Sequence, residues 1–116
     1  MPYTCPATIE AGHHDIYSKF IIKGVMWNNP AEHDEGTVPI FFTADAGVFL
    51  PKFSSVNKGL TVHYDTFNGG FDTFRGNIGD GRIFIRTGQG IVIKGAIDGG
   101  PDEGQDFVGS GTWMEA

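Results

Sequence analysis

Three consecutive residues, His63, Tyr64 and Asp65, are the best candidates for chemistry in this sequence. They follow an apolar run that begins at Leu60, and side chains two positions apart on a β-strand share one face. His63 and Asp65 would then lie side by side, where an imidazole and a carboxylate can act as general acid and base. We predict these two residues to be catalytic if they face a cavity. The alternative interpretation is a solvent-facing strand histidine beside a solvated carboxylate.

Aromatic side chains are the second signal, because the chain contains ten Phe, three Tyr and two Trp residues. Aromatic rings can line an apolar pocket at the mouth of a barrel, or they can stack on sugar rings from the surface. The competing interpretation is that most of them fill the core. The residues that we predict to contact a ligand are Tyr64, Trp27, Phe74 and Trp113.

Other clusters of reactive residues give little indication of a site. The four histidines have no His-x-His or His-x-x-x-His spacing, and the acidic segment 98–106 does not follow the EF-hand pattern. The glycine clusters link strands, whereas phosphate-binding loops open helices, and no serine lies in a nucleophile-elbow motif. We therefore predict neither a metal site nor a cofactor.

The elements that must position these residues are short strands separated by glycine-rich breaks. Residues 60–97 contain three breaks, at 68–70, 79–81 and 88–90, a pattern typical of consecutive antiparallel strands joined by hairpins. Further strands are predicted over 16–27, 37–44, 48–50 and 107–114, and residues 1–14 are expected to be mostly irregular. We expect the last strand to pair with the first long one and close the sheet.

A short repeat lies inside the central block. The sequence DTFNG at 65–69 recurs as DTFRG at 72–76. We interpret the two copies as hairpin arms that meet across the Asn68-Gly69 turn, each supplying an Asp, a Thr and a Phe. Two matched carboxylates beside a ligand are one interpretation. Cross-strand Thr and Phe pairs with solvated Asp side chains are the other.

These strands predict an all-β fold, a single-domain small antiparallel β-barrel of about seven or eight strands over residues 1–116. A two-sheet β-sandwich is the alternative. Glycines inside strand patterns, such as Gly76 and Gly95, favour the tight curvature of a closed barrel. The tail from Gly109 to Trp113 resembles strands of small bacterial eight-stranded barrels, including calycin-like and cyclase-like ones. An eight-stranded barrel is either filled by side chains or holds one small ligand.

Composition restricts the partners that we expect. The net charge is −6 and the chain has only eight Lys and Arg residues, so we predict no nucleic-acid partner. No apolar run approaches about 18 residues, so we predict no membrane span. The N-terminus lacks the basic and apolar regions of a signal peptide, which predicts a cytoplasmic protein, although a mature secreted form would look the same. The single cysteine, Cys5, excludes an intramolecular disulfide.

Three functions are compatible with these patterns. The first is binding of an apolar or polycyclic small molecule, with a cofactor-free cyclase or isomerase activity as an extension. The second is a non-enzymatic interaction or effector module with a filled barrel, and the third is a lectin-like carbohydrate binder. Apolar residues opposite the expected core face also suggest a homodimer through an outer strand surface. Those residues are Phe84, Val92, Ala96, Ile21 and Val25.

Overall fold

Ten β-strands form one antiparallel sheet in the computed structural model, which describes residues 3–11, 18–27, 37–55, 59–65 and 67–115. The strands are β1 (Tyr3–Ala11), β2 (Lys19–Trp27), β3 (Thr37–Asp45), β4 (Phe53–Ser54), β5 (Leu60–Tyr64), β6 (Gly70–Gly79), β7 (Arg82–Thr87), β8 (Val92–Ala96), β9 (Asp98–Gly99) and β10 (Gln105–Glu115). The described residues contain no helix.

Eight of these strands close into a barrel. Neighbours follow the order β2-β3-β10-β6-β7-β8-β5-β1, and β1 also pairs with β2, which completes the ring. The short strands β4 and β9 pair with each other, and β4 pairs with β1, so both lie outside the ring. The predicted antiparallel barrel is confirmed, and the alternative of two separate sheets is wrong.

The β6–β7–β8 meander forms where the sequence predicts consecutive hairpins. Residues alternate between the two faces of β7, so that Ile83 and Ile85 are buried while Arg82 and Arg86 are exposed. The turn between β6 and β7 contains Asp80 at φ 52° and a following glycine at φ 74°, a left-handed conformation that suits Gly and Asp. Strong alternation and glycine turns therefore fix this part of the fold locally.

Pairings between distant segments differ from the prediction. The last strand, β10, pairs with β3 and β6 instead of the first long strand, and β1–β2 pairing closes the barrel. The two copies of the DTF repeat do not form hairpin arms, because β5 pairs with β1 and β8 while β6 pairs with β7 and β10. Residues 48–50 form no strand.

Prolines mark places where one neighbouring strand stops. The N-terminal segment forms the nine-residue strand β1 despite Pro6, so the expectation of an irregular segment is wrong. Pro6 is compatible with pairing because β2 joins β1 only from Ala7 onward. Pro39 behaves in the same way, since β10 joins β3 only from Ile40 onward. A proline lacks the N–H that a second neighbour would need, so both sit beyond the end of that pairing.

Aromatic rings fill the part of the barrel crossed by β10. Phe74 makes edge-on contacts with Phe20, Phe42 and Phe107 at centroid distances of 5.5, 5.8 and 5.9 Å. Two glycines of β10 make room for these rings. A Cβ atom at Gly109 would lie 2.8 Å from the Phe74 ring, and one at position 111 would lie 2.9 Å from the Phe42 ring.

Candidate functional site

The predicted catalytic pair lies away from the interior. His63 projects outward from β5 and is half-buried, and Asp65 is exposed just beyond the end of the strand. Tyr64, between them, points inward, is fully buried and lies 5.7 Å from the Tyr3 ring. His63 and Asp65 are therefore on the outer side of the barrel. The part of the chain that the structure describes contains no group of three His, Cys, Asp or Glu residues placed to hold a metal ion.

The predicted ligand-contacting aromatics belong to the packed core where the structure describes them. Trp113 stacks on Phe42 at 4.3 Å and is 2% exposed, and Phe74 contacts the same Phe42 ring from another side. The structure thus brings Phe74 and Trp113 together through a shared neighbour. The side chain of Trp27 lies outside the described residues.

A buried carboxylate closes one end of this aromatic cluster. Asp72 is 3% exposed, and its Oδ2 accepts a hydrogen bond from Trp113 Nε1 at 3.0 Å. Its Oδ1 accepts one from the backbone N–H of Gln89 at 3.2 Å. Gln89 in turn donates from Nε2 to the carbonyl oxygen of Gly69 at 2.9 Å. Both carboxylate oxygens are engaged in joining β6, β10 and the β7–β8 turn, an arrangement suited to holding structure.

The outer surface of four adjacent barrel strands has the opposite character. We call the outward side of β6, β7, β8 and β5 the basic face, because it carries four cations and no carboxylate among the described strand residues. Four of the eight Lys and Arg residues of the chain are gathered there, while the chain has 14 Asp and Glu residues in total. Its cationic side chains are Arg75, Arg82, Arg86 and Lys94, and its other outward residues are Phe71, Thr73, Asn77, Phe84, Val92, Ala96, Thr61 and His63.

The register of the basic face places like charges opposite each other. Arg75 on β6 faces Arg86 on β7, and Lys94 on β8 faces Phe84. None of the four cations forms an ion pair with a described carboxylate. Like charges directly opposite each other on neighbouring strands destabilise a sheet. The fold therefore carries a small free-energy cost here that none of the described carboxylates relieves.

Phe84 stands between two shallow grooves on this face. One groove, of about 600 Å³, runs toward β5 and includes His63, Arg82 and Lys94. The other, of about 620 Å³, runs toward β10 and includes Arg75 and Arg86. Phe84 and Asn77 line both grooves, and the Phe84 ring is 40% exposed.

The polar groups of the two grooves differ in whether they have hydrogen-bond partners. At the β10 edge, Asp106 accepts a hydrogen bond from the amide of Asn77 at 2.8 Å through its Oδ1 atom. In the β5 groove, the Nε2 atom of His63 is buried without a hydrogen-bond partner among the described residues. A buried ring nitrogen without a partner costs free energy unless a ligand or solvent satisfies it.

The basic face was not predicted, although part of its charge pattern can be read from the sequence. The alternation of Arg82, Phe84 and Arg86 on one face of β7 is readable in the sequence. The contributions of Arg75 and Lys94 depend on the register of β6 and β8 against β7. The net charge of the chain hides this surface because no described carboxylate projects outward from β5, β6, β7 or β8, and Asp106 lies beside it on β10.

No family model, curated protein or solved structure matches this chain. Among the described residues, no helix is both long and apolar enough to cross a membrane.

Proposed function

We propose that this protein is a non-enzymatic binding module that docks an anionic partner on the basic face. The observation that carries the proposal is the Arg75–Arg86 opposition, flanked by Arg82 and Lys94, on an acidic chain that leaves all four cations without an ion pair in its described part. An incoming anion would remove the repulsion and gain charge-assisted hydrogen bonds, which are strongest and most directional with arginine.

A homodimer through the outer apolar residues has less support than an anionic partner. Ile21 is on β2, which lies four strands from β7 in either direction around the eight-stranded ring, so it cannot join Phe84 in one patch. A two-fold contact through Phe84 alone would also bring the cations of one copy close to those of the other. Such a contact would increase the repulsion that an anionic partner removes.

The interior-ligand hypothesis stays a prediction. Tyr64, Phe74 and Trp113, its proposed contacts, are used in packing against other rings. The lectin hypothesis loses Trp113, since an indole that is 2% exposed offers no face to a sugar. Native mass spectrometry of the purified protein tests the interior hypothesis directly. A retained small molecule of fixed mass would favour it, and an apo protein would count against it.

The proposed function is tested by chromatography on immobilised heparin, a polyanion without sequence or fold. We expect the protein to bind at low salt and the R75Q/R86Q variant to elute at a clearly lower salt concentration. The matched control is K19Q/K23Q, which removes the same charge from two exposed lysines of β2, on the other side of the ring. Failure of the protein to bind, or an equal shift for both variants, would refute the proposal.

A further inference from the structure

We infer that the anionic partner is a single-stranded nucleic acid, which crosses the basic face and stacks a base on Phe84. This inference rests on the proposed function and adds the chemical class of the partner. It departs from the expectation drawn from composition, which considered the chain as a whole. The local charge at a binding surface decides contact with phosphates, and here four cations are collected on adjacent strands with no carboxylate between them.

The first argument is the combination of residue types. A half-exposed phenylalanine lies between two arginines along β7 and next to a lysine across the strand pair. Single-stranded nucleic acids are bound by this combination, in which cations follow the phosphates and an aromatic ring stacks on a base. An acidic peptide would use the cations but has no general need for the exposed ring.

The second argument is the absence of a free sheet edge in this surface. Each of the strands β5 to β8 has hydrogen-bonded neighbours on both sides in the barrel. A peptide that adds as an extra strand needs unpaired backbone groups, and this face offers none along its paired segments. Recognition must therefore use side chains, which is how nucleic-acid-binding barrel and sheet surfaces work.

The third argument is length. The two grooves meet at Phe84 and extend from β5 across β8, β7 and β6 to β10. With adjacent strands about 4.8 Å apart, this path is about 19 Å long. At about 3.4 Å per stacked nucleotide, it accommodates on the order of five nucleotides. The path is thus longer than a single nucleotide, and His63 lies at its β5 end.

The test uses the whole protein and fluorescence anisotropy with labelled dT12 and rU12, which form no stable secondary structure. We expect both to bind, and F84A to weaken binding about five- to a hundredfold, the range for loss of one base stack. F84L keeps an apolar side chain without the aromatic face and should weaken binding in the same direction. Circular dichroism and thermal melting are used to check that both variants are folded.

The matched control is F49A, which removes an exposed phenylalanine between β3 and β4, off the basic face and outside both grooves. We expect it to change dT12 affinity by less than about twofold. The salt dependence gives a second readout. Loss of two phosphate contacts in R75Q/R86Q should reduce the slope of log K against log salt by about 1.4, at about 0.7 per contact for single strands.

The outcomes separate the inference from the proposed function. Binding to heparin without binding to dT12 or rU12 would overturn the inference and leave the proposed function intact. Polyglutamate of equal charge is used as a competitor for labelled dT12. If it displaces dT12 as effectively as unlabelled dT12 does, the partner is an acidic protein instead. Equal losses for F84A and F49A would also overturn the inference, as would tighter binding to duplex DNA of the same length. No binding to any polyanion would refute both.

Discussion

Two charged side chains on the same strand illustrate how differently the inside and outside of this barrel use polar groups. Asp72 and Arg75 are three residues apart on β6 and face opposite sides of the sheet. Inside, both oxygens of Asp72 accept hydrogen bonds, from Trp113 and from Gln89. Outside, Arg75 faces another arginine and has no ion pair among the described residues.

The difference indicates which groups serve the fold and which are free to bind. A buried charge is tolerated only when hydrogen bonds satisfy it, so the surroundings of Asp72 are what stability requires. An exposed arginine needs no partner to stay in solvent, and stability would favour a carboxylate opposite it. The contrast supports the proposal that the basic face, and not the packed interior around Asp72, binds the partner.

The largest expected change in stability comes from removing the central aromatic ring of the interior. F74A deletes a buried side chain that contacts three other phenylalanines, and we expect it to lower the free energy of unfolding by about 3–5 kcal/mol. Urea denaturation measures this effect. The control is F71A on the same strand, where the ring is exposed and the change should be below about 0.5 kcal/mol. Comparable losses for the two variants would contradict the described core.

The next largest effect is expected from the buried carboxylate. D72A leaves the Trp113 indole N–H and a backbone N–H without their acceptor, and we expect a loss of about 2–3 kcal/mol in the free energy of unfolding. The double variant with W113F should lose less than the sum of the single variants, since they share one hydrogen bond. Additive losses would show that the indole bond contributes little. Heparin retention of folded D72A should be unchanged.

The smallest expected change in stability is an increase instead of a loss. R86E places a carboxylate opposite Arg75, and we expect the free energy of unfolding to rise by about 0.2–1 kcal/mol. The same variant should bind heparin more weakly than the unaltered protein, because the net charge of the basic face falls by two. Measuring melting temperature and heparin elution together tests the trade-off. A variant that loses stability without losing retention would contradict the role given to the opposed arginines.

The sequence-based prediction agrees best with the structure where paired strands are close together in the chain. The alternation in β7 and the glycine turns around it specify the β6–β7–β8 meander, since each turn fixes the pairing of the strands next to it. The outward position of Phe84 follows from the same pattern. The nine-residue strand β1 was missed because its pairing partners, β2, β4 and β5, are supplied by later parts of the chain.

The candidate site was harder to predict for the same reason. His63 and Asp65 were chosen because their types suit proton transfer, but periodicity alone does not state which face of β5 is inside. The burial of Tyr64 and Val62 decides that His63 faces out. In the sequence, Arg75 is recognisable only as part of the DTF repeat, because its position opposite Arg86 depends on the register of β6 against β7.

The sequence by itself determined an all-β chain of alternating strands and glycine turns, because side-chain alternation and turn chemistry act over a few residues. Tertiary structure decided how those strands are ordered around the barrel, which of them closes it and which charges meet on its surface. These features depend on pairings between residues far apart in the chain. The interior cluster around Phe74 and the basic face around Phe84 are both products of that ordering.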